Sequence, residues 1–454
     1  MKQELELYIH IPFCVKKCNY CDFLSFPQTT EMYGRYVEQL VKEIRAAAAD
    51  CAEYEVRSVF IGGGTPSLLS EQYVAAIMDA IRASYHLAED AEVTIECNPG
   101  STLRHKFAAY KRAGVNRLSI GLQSADNAEL KMLGRVHTFE EFLKAYQSAR
   151  MEGFTNINVD LINCIPMQSL KTWKKTLRTV LMLKPEHVSV YNLIIEEGTP
   201  FYEMQEEGLL MMPSEEEQTE IDTFTKEYLA KQGYHRYEIS NWAKPGLECR
   251  HNCGYWTGVP YLGFGLGAAS FFGKKRWNNT SDLAEYLDLD FVSELSAASR
   301  WSTARARARL EAALKKSAAD AAAAAGAVPP VGTPNTADAA DDMPVSVWDR
   351  LRKNVHELSR EERIEEFMFL GLRMTEGVTT TGFLTEFGQH LDSVYGKILD
   401  KNIISGLMES DNGHVRLTDR GMDVSNIVLS DFLFDREEAE PAETEPVPEA
   451  APEE

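Results

Sequence analysis

Three cysteines near the beginning of the chain have the spacing of a metal centre. Cys14, Cys18 and Cys21 follow one another as Cys-x3-Cys-x2-Cys, directly after a short apolar run. A structural zinc site takes four ligands, usually in two pairs, and no second Cys or His pair follows at a suitable spacing. Chance clustering of buried thiols is a poor explanation, because the whole chain holds only eight cysteines. The pattern favours a [4Fe–4S] cluster, whose irons bind thiolates.

Three thiolates leave one iron of such a cluster without a protein ligand. An open iron can bind the amino and carboxylate groups of S-adenosylmethionine (SAM), and an electron passed into the sulfonium releases a 5′-deoxyadenosyl radical. The cysteine loop therefore predicts two cofactors, the cluster and SAM. It also predicts an electron donor that reduces the cluster.

The elements that must position this loop are strands and helices in alternation. Apolar, β-branched runs alternate with amphipathic helical segments over the first 200 residues, which predicts parallel βαβ units. The runs cover residues 4–10, 56–61, 91–96, 115–120, 157–162 and 187–195. Six units in one register favour a partial (β/α)6 barrel. An open doubly wound sheet stays as the alternative, since periodicity alone does not distinguish the two.

Polar or glycine-rich residues stand where these strands end, and parallel α/β folds gather their chemistry at that edge. The residues are Gly63, Gly64, Thr65, Glu96, Gln123 and Asp160. A carboxylate such as Asp160 inside an apolar strand is costly to bury unless it is paired or bound to a ligand. Arg135 is the best available clamp for a ligand carboxylate, because a guanidinium matches it with two hydrogen bonds. The sequence predicts one site at this edge.

With these motifs the chain resembles the radical SAM superfamily, and within it the group of oxygen-independent coproporphyrinogen III dehydrogenases and HemW proteins. The likeness covers residues 4–290 and 361–433, including the segments "EEFMFLGLRMTEGV" and "LTDRGMDVSN". It implies an aromatic residue beside the cluster, here Tyr20. It further implies SAM contacts from Tyr8, Tyr20, Gly63, Gly64, Thr65, Glu96, Gln123, Arg135, Asp160 and Ile194, and from the region of Ala268 and Ala269.

Two features separate the functions found in this group. The dehydrogenases continue the cysteine motif with another Cys where this chain has Phe23. Residues 251–256 read "HNCGYW", and His-Asn-x-x-Tyr-Trp is the mark of the HemW heme chaperones. Imidazole is a good axial ligand for heme iron, and aromatic rings can cover a porphyrin face. The resemblance therefore implies heme contacts from His251, Asn252, Tyr255 and Trp256, with His251 binding the heme iron or orienting the heme.

We expect a heme chaperone that binds heme and transfers it to an acceptor protein, for example one of a respiratory chain. Cys249 and Cys253 stand on either side of His251 and could also ligate iron, whereas Ala269 replaces a His common at that position. The alternatives are the dehydrogenase, which oxidatively decarboxylates two propionates, and a radical SAM enzyme with another substrate. Whether SAM is cleaved, and so whether the chain is an enzyme, is left open by the sequence.

Composition shifts along the chain predict its organisation. The expected parts are a radical SAM core (1–200), a barrel extension (201–295), an Ala-rich low-complexity segment (296–350), a helical, winged-helix-like module (351–435) and a disordered acidic tail (436–454). The fold class is thus α/β, a partial barrel followed by a C-terminal module. Residues 361–435 hold fourteen acids and six Lys or Arg, so a partner or packing role is expected for the module.

Charge and apolar content exclude several classes of partner. The net charge is −22, which opposes binding to nucleic acid phosphates. No signal peptide begins the chain and no run of 18 apolar residues occurs, so we expect a cytoplasmic protein that meets a membrane only through its acceptor. Sparse cysteines fit a reducing compartment, in which Cys51, Cys97 and Cys164 are small apolar core residues. The oligomeric state is left open, with a homodimer as one alternative.

Overall fold

A computed structural model describes residues 2–101, 104–293 and 346–434 of the chain. It divides into two compact units, one up to Leu358 and one from Ser359 onwards. The predicted boundary at residue 351 is wrong, because Arg352–Glu357 forms a strand of the first unit's sheet. Most of the predicted low-complexity segment and the acidic tail lie outside the described residues.

The first unit contains one large mixed sheet. Its strands are β1 Gln3–Ile11, β2 Tyr54–Gly63, β3 Leu87–Cys97, β4 Arg117–Gln123, β5 Ile157–Asn163, β6 His187–Asn192, β7 His235–Arg236, β8 Asn241–Ala243, β9 Tyr261–Phe264, β10 Ala269–Phe272, β11 Lys275–Asn279 and β12 Arg352–Glu357. Within the described part of the chain their order is β12-β11-β10-β9-β1-β2-β3-β4-β5-β6-β8-β7.

The first six strands confirm the partial barrel. They lie side by side in chain order and every neighbouring pair is parallel. A doubly wound sheet would reverse its strand order at a switch point, and these strands do not. The β9–β12 extension joins β1 through a parallel β1–β9 pair, and β8 adds antiparallel to β6.

Helices follow the strands and cover the apolar face of the sheet. The first unit has α1 Thr30–Ala47, α2 Glu71–Ser84, α3 Arg104–Arg112, α4 Asn127–Met132, α5 Phe139–Met151, α6 Leu170–Met182, α7 Pro200–Glu206, α8 Glu215–Lys231, α9 Arg250–Thr257, α10 Leu283–Leu287 and α11 Val347–Leu351. Capping boxes fix where several begin, as in Thr138 with Glu141 before α5 and Ser214 with Glu217 before α8.

The pattern of β1 shows how the sequence sets the two faces of the barrel. Its odd positions are fully buried in the apolar core that they share with α1: Leu5, Leu7, Ile9 and Ile11. Its even positions carry polar or titratable groups, Glu6, Tyr8 and His10, and point to the opposite face because side chains alternate along a strand. The barrel interior is therefore polar, and a site can be built there.

The sixth strand is shorter than its predicted range of 187–195. It ends at Asn192, and β8 pairs with it only from His187 to Ser189. Leu193 and Ile195 pack instead around Phe201 in a second apolar cluster. Their apolar character therefore reflects this separate packing and not a continuing strand.

The second unit is helical with a small sheet, as the sequence predicts. Its elements are α12 Arg360–Gly371, β13 Val378–Thr379, α13 Thr380–Phe387, α14 Leu391–Ile404, β14 Met408–Asp411, β15 His414–Leu417, α15 Asp419–Asp423 and α16 Ser425–Ser430. The sheet is antiparallel in the order β13-β15-β14. Asn412 and Gly413 both have positive φ, at 51° and 79°, which gives the tight turn of a two-residue hairpin.

Among the described helices, none is both long and apolar enough to cross a membrane.

A buried carboxyl group joins α1 to the barrel extension. Glu43 accepts hydrogen bonds from the Gly265 amide at 2.9 Å, the Asn279 side-chain amide at 2.8 Å and the Tyr286 hydroxyl at 2.6 Å. Burial raises the pKa of Glu43 to about 7, and these three donors oppose that rise. The contact holds α1 against β9, β11 and α10 at once.

Replacing Glu43 by Ala should therefore destabilise the first unit. The change leaves three buried donors without their shared acceptor, and breaking such a buried polar group costs about 3 kcal/mol or more. Urea denaturation should show this loss for Glu43→Ala and almost none for Glu38→Ala, an exposed carboxylate on the same helix. Equal stability of the two variants would contradict the role of Glu43.

Candidate functional site

The cysteine loop between β1 and α1 packs directly against the glycine run that ends β2. A β-carbon at Gly64 would lie 2.7 Å from the Phe13 carbonyl oxygen and 3.1 Å from the Cys14 thiol. Gly64 donates its amide hydrogen to the Ile11 carbonyl at 2.8 Å, and Thr65 Oγ1 lies 3.4 Å from Cys14 Sγ. Only glycine allows this approach, so the run fixes the beginning of the cysteine loop.

Gly63 links the loop to the barrel interior. Its φ of +112° is outside the range that other residues favour, and a side chain would collide with the His10 ring. Its amide donates to Glu96 Oε2 at 3.0 Å. Burial and the neighbouring Asp160 raise the pKa of Glu96 to about 8, so this carboxyl is mostly protonated at neutral pH.

Arg135 holds the other end of the cysteine loop. Its Nη1 lies 3.6 Å from Cys18 Sγ and its Nη2 donates to the Gly121 carbonyl at 2.9 Å. A guanidinium beside a thiol favours the thiolate that a metal needs. Burial raises the pKa of Tyr20, and the nearby Arg135 guanidinium opposes that rise. The predicted aromatic and the predicted cation thus lie together at this loop.

The donor chemistry of the loop fits an iron–sulfur cluster. All three thiols are partly exposed, and burial raises the pKa of Cys21, with the Cys18 and Cys14 thiols adding to the rise. In the described ranges no three His, Cys, Asp or Glu side chains are arranged around a point as a single ion requires. A cubane spreads its thiolates over separate irons, so it does not require that arrangement.

A cavity of about 190 Å³ lies inside the barrel near the same edge. Its walls are Tyr8, Phe60, Glu96, Arg117, Ser119, Asn158, Asp160, Ser189, Tyr191, His251, Asn252 and Tyr255. Liquid water takes about 30 Å³ a molecule, so the cavity corresponds to roughly six waters. It can hold part of a porphyrin or of SAM and cannot enclose a macrocycle.

Hydrogen bonds between β4, β5 and β6 hold the polar wall of the cavity. Asp160 accepts from the Ser119 hydroxyl at 2.8 Å and from the Asn158 side-chain amide at 2.7 Å. Asn158 Oδ1 in turn accepts from Ser189 at 3.2 Å and pairs with His187 Nδ1 at 2.7 Å. Asp160 is thus hydrogen-bonded within the protein. It also lines the cavity, and its contact with a ligand stays a prediction.

His251 lies in the wall with both ring nitrogens engaged. Nδ1 pairs with the Ser58 hydroxyl at 2.7 Å and Nε2 with the Tyr255 hydroxyl at 2.9 Å. The Phe60 ring stacks on the imidazole at 5.2 Å, and His251 is 1% exposed. Burial lowers the pKa of His251 to about 3. Both ring nitrogens are thus engaged within the protein, His251 orients the Tyr255 hydroxyl, and the iron coordination expected from the sequence stays a prediction.

The rest of the histidine motif divides between two environments on α9. Asn252 and Tyr255 line the cavity, and Trp256 is not among its walls. Burial raises the pKa of Cys253 to about 12 and raises that of Cys249 well above its ordinary value. Cys249 Sγ also donates to Glu92 at 3.4 Å. Burial thus favours the protonated thiol at both positions, and the iron ligation considered from the sequence stays a prediction.

Three other predicted contacts lie away from the cavity wall. Gln123 stands at a bulge that ends β4, with φ of 73°, beside the Arg135 guanidinium. Ile194 is 67% exposed beyond the end of β6. Ala268 lies just before β10 and is buried, whereas Ala269 is the first residue of β10 and is exposed. For these positions the SAM contacts stay predictions.

Sequence reasoning missed half of the cavity wall. The missed residues are Phe60, Arg117, Ser119, Asn158, Ser189 and Tyr191. The available signal was period two: polar residues at 117 and 119, at 158 and 160, and at 187 and 189 interrupt otherwise apolar strands. Alternate positions share one face of a strand, so these pairs mark the inner face of the barrel.

Comparison with known proteins identifies the class to which this fold and site belong. Residues 8–180 match the model of the radical SAM superfamily, and residues 358–424 match that of the HemN C-terminal domain. The solved structure of coproporphyrinogen III oxidase (HemN) from Escherichia coli matches with a TM-score of 0.73 and 21% identity, covering 95% of this chain and 90% of that one. At this identity the likeness concerns the fold.

Curated relatives identify the family within this superfamily. The heme chaperone HemW of Bacillus subtilis is 33% identical over 94% of this chain and 98% of its own length. HemW of Escherichia coli is 42% identical over 58% of this chain and 69% of its own, and a mouse protein, radical S-adenosyl methionine domain-containing protein 1, is 39% identical over 59% of this chain and 60% of its own length. The chain belongs to the HemW family.

Replacing Gly64 by Ala should disturb the cysteine loop. The added carbon meets backbone atoms of Phe13 that cannot turn aside, and such overpacking costs about 1–3 kcal/mol. We expect lower iron and sulfide contents after anaerobic reconstitution, measured per folded protein. Gly100→Ala is the matched control, because its nearest neighbour would lie 3.7 Å away. Full cluster loading of Gly64→Ala would show that the close contact is not required.

A second prediction concerns Glu6, which lies buried 3.8 Å from His251 Nδ1. Burial raises the pKa of Glu6 from 4.5 to about 9. The folded protein thus keeps a proton that the unfolded chain loses, and stability falls as pH rises between about 4.5 and 9. Glu6→Gln cannot ionise, so it should remove this part of the fall.

Urea midpoints measured at several pH values within that window test this expectation. The control is Glu4→Gln, an exposed carboxylate on the same strand, which should keep the wild-type pH profile. If Glu6→Gln lost stability with pH as steeply as the wild type, Glu6 would not hold the proton.

Proposed function

We propose that this chain is a heme chaperone that binds heme beside a SAM-binding [4Fe–4S] cluster and passes it to an acceptor protein. The observation that carries the proposal is the position of α9: the motif helix lines the same cavity as Glu96, which accepts a hydrogen bond from Gly63 beside the cysteine loop. The HemW relative that aligns with almost the whole chain supports it.

The cluster would be held by Cys14, Cys18 and Cys21, with Gly63, Gly64, Thr65 and Arg135 around the loop. When bound, it supplies an open iron for SAM and a low-potential electron. The chain's own residues position and enclose the cluster and SAM. The glycines allow the ligand to lie close to the backbone, and Arg135 balances negative charge. An external electron donor belongs to this proposal.

Heme would lie across the mouth of the cavity and not inside it, since about 190 Å³ is too small for the macrocycle. The aromatic rings of Tyr8 and Tyr191 line the cavity. Tyr255 lines it too, and the hydrogen bond between its hydroxyl and His251 orients its ring. Because a heme at the mouth stays accessible, a second protein can take it. The acceptor and the oligomeric state are not specified by the site.

Phe23 separates this function from the dehydrogenase. Its side chain is 66% exposed, so it is not part of the packing of the cysteine loop. A fourth Cys is absent at this position, as in the HemW pattern. We therefore expect the chain to bind a porphyrin without oxidising its propionates.

The test is anaerobic reconstitution of the full chain followed by heme titration and a turnover assay. We expect saturable heme binding with a Soret band distinct from that of free heme, and transfer of that heme to an apo-acceptor such as apomyoglobin. His251→Gln should keep the axial-ligand features of the spectrum, because both ring nitrogens of His251 are already hydrogen-bonded within the wall.

The same protein, reduced and supplied with SAM and coproporphyrinogen III, should form no protoporphyrinogen. Product in that assay would support the dehydrogenase. If the protein bound no heme in the titration, the chaperone proposal would be overturned. A radical SAM enzyme with another substrate would then be the remaining alternative.

A further inference from the structure

Arg117 is a buried cation in the cavity wall. It lies on β4 with 1% of its surface exposed, and its Nε has no hydrogen-bond partner among the described residues. A buried charge without a partner is costly, so a buried guanidinium normally ends on a carboxylate. Within the described ranges Arg117 forms no such ion pair, and it faces the cavity.

The carboxylates near Arg117 are already engaged elsewhere. Glu92 accepts from the backbone amides of Arg250 at 3.2 Å and His251 at 3.3 Å, and from the Cys249 thiol. Asp160 accepts from Ser119 and Asn158. Burial lowers the pKa of Arg117, but the nearby Cys249, Glu92, Tyr237 and Asp160 raise it on balance. None of them accepts a hydrogen bond from its Nε.

The missing partner has the properties of a ligand carboxylate. A guanidinium matches a carboxylate with two parallel hydrogen bonds, and the cavity has room for a carboxylate arm but not for a whole porphyrin macrocycle. The Ser189 hydroxyl and the Asn252 side chain stand in the same wall. Glu96, whose pKa is about 8, is mostly neutral at pH 7 and does not repel an anion.

We propose that Arg117 binds the carboxylate of the small molecule held at this site, and, resting on the proposed function, that this carboxylate is a propionate of heme. The propionate then enters the cavity while the macrocycle stays at its mouth. The SAM carboxylate is the other source of the same chemistry, and the experiment separates the two.

The first measurement uses the unaltered, cluster-loaded protein. It is titrated with heme and with heme dimethyl ester, which keeps the macrocycle and lacks free carboxylates. A hydrogen bond to a charged group is worth about 1.5–3 kcal/mol, so the ester should bind about 10- to 100-fold more weakly. Equal affinities would overturn the inference and leave the chaperone proposal standing. No binding of heme at all would overturn the proposed function itself.

The second measurement assigns the preference to Arg117. Arg117→Gln should bind heme about as weakly as the ester and should no longer distinguish the two ligands. Arg112→Gln, an exposed arginine on α3, should behave as the wild type. A full wild-type preference for heme in folded Arg117→Gln would overturn the role of this residue.

The third arm compares SAM with decarboxylated SAM. Arg117→Gln should discriminate between them as the wild type does, because Arg117 does not hold the SAM carboxylate. Loss of that discrimination, with the preference for heme over its ester retained, would assign Arg117 to SAM and contradict the propionate assignment.

Discussion

A β-carbon at Gly64 would lie 2.7 Å from the Phe13 carbonyl oxygen, and this contact sets the position of the cysteine loop. The loop begins where β1 ends, and the glycine run begins where the neighbouring β2 ends, so the parallel pairing of the two strands brings them together. From there Gly63 reaches Glu96 on β3. These contacts of Gly64 and Gly63 thus connect the cysteine loop to the barrel interior.

The polar interior of the barrel follows from this arrangement. Alternate residues of β4, β5 and β6 carry hydroxyl, amide and charged groups that bond to one another across the strands, as Asp160 does with Ser119 and Asn158. A fully paired network is rigid and holds its cavity open. Arg117 is the member whose Nε has no hydrogen-bond partner among the described residues, which is why we assign it to a ligand carboxylate.

Much of the fold could be predicted from the sequence, because the strand–helix alternation and strand-end glycines are local features. The cysteine loop, Glu96 and Asp160 were recognisable for the same reason. The role of His251 was not, because its partners Ser58 and Tyr255 include a residue nearly two hundred positions away. Arg117 was overlooked because a single arginine in an apolar strand gains meaning only when its partners are known. The domain boundary predicted at residue 351 is wrong because β12 pairs with β11, from which the Ala-rich segment separates it along the chain.

The cysteine loop and the cavity proposed to bind heme belong to one site, and spin relaxation tests this most directly. In protein with a reduced cluster, bound heme iron should speed the relaxation of the cluster's electron spin, so that its EPR signal saturates at higher microwave power. Zinc protoporphyrin, which is diamagnetic, should leave the saturation unchanged. Identical saturation with heme and with zinc protoporphyrin, both bound stoichiometrically, would show that heme binds far from the cluster and would contradict the account.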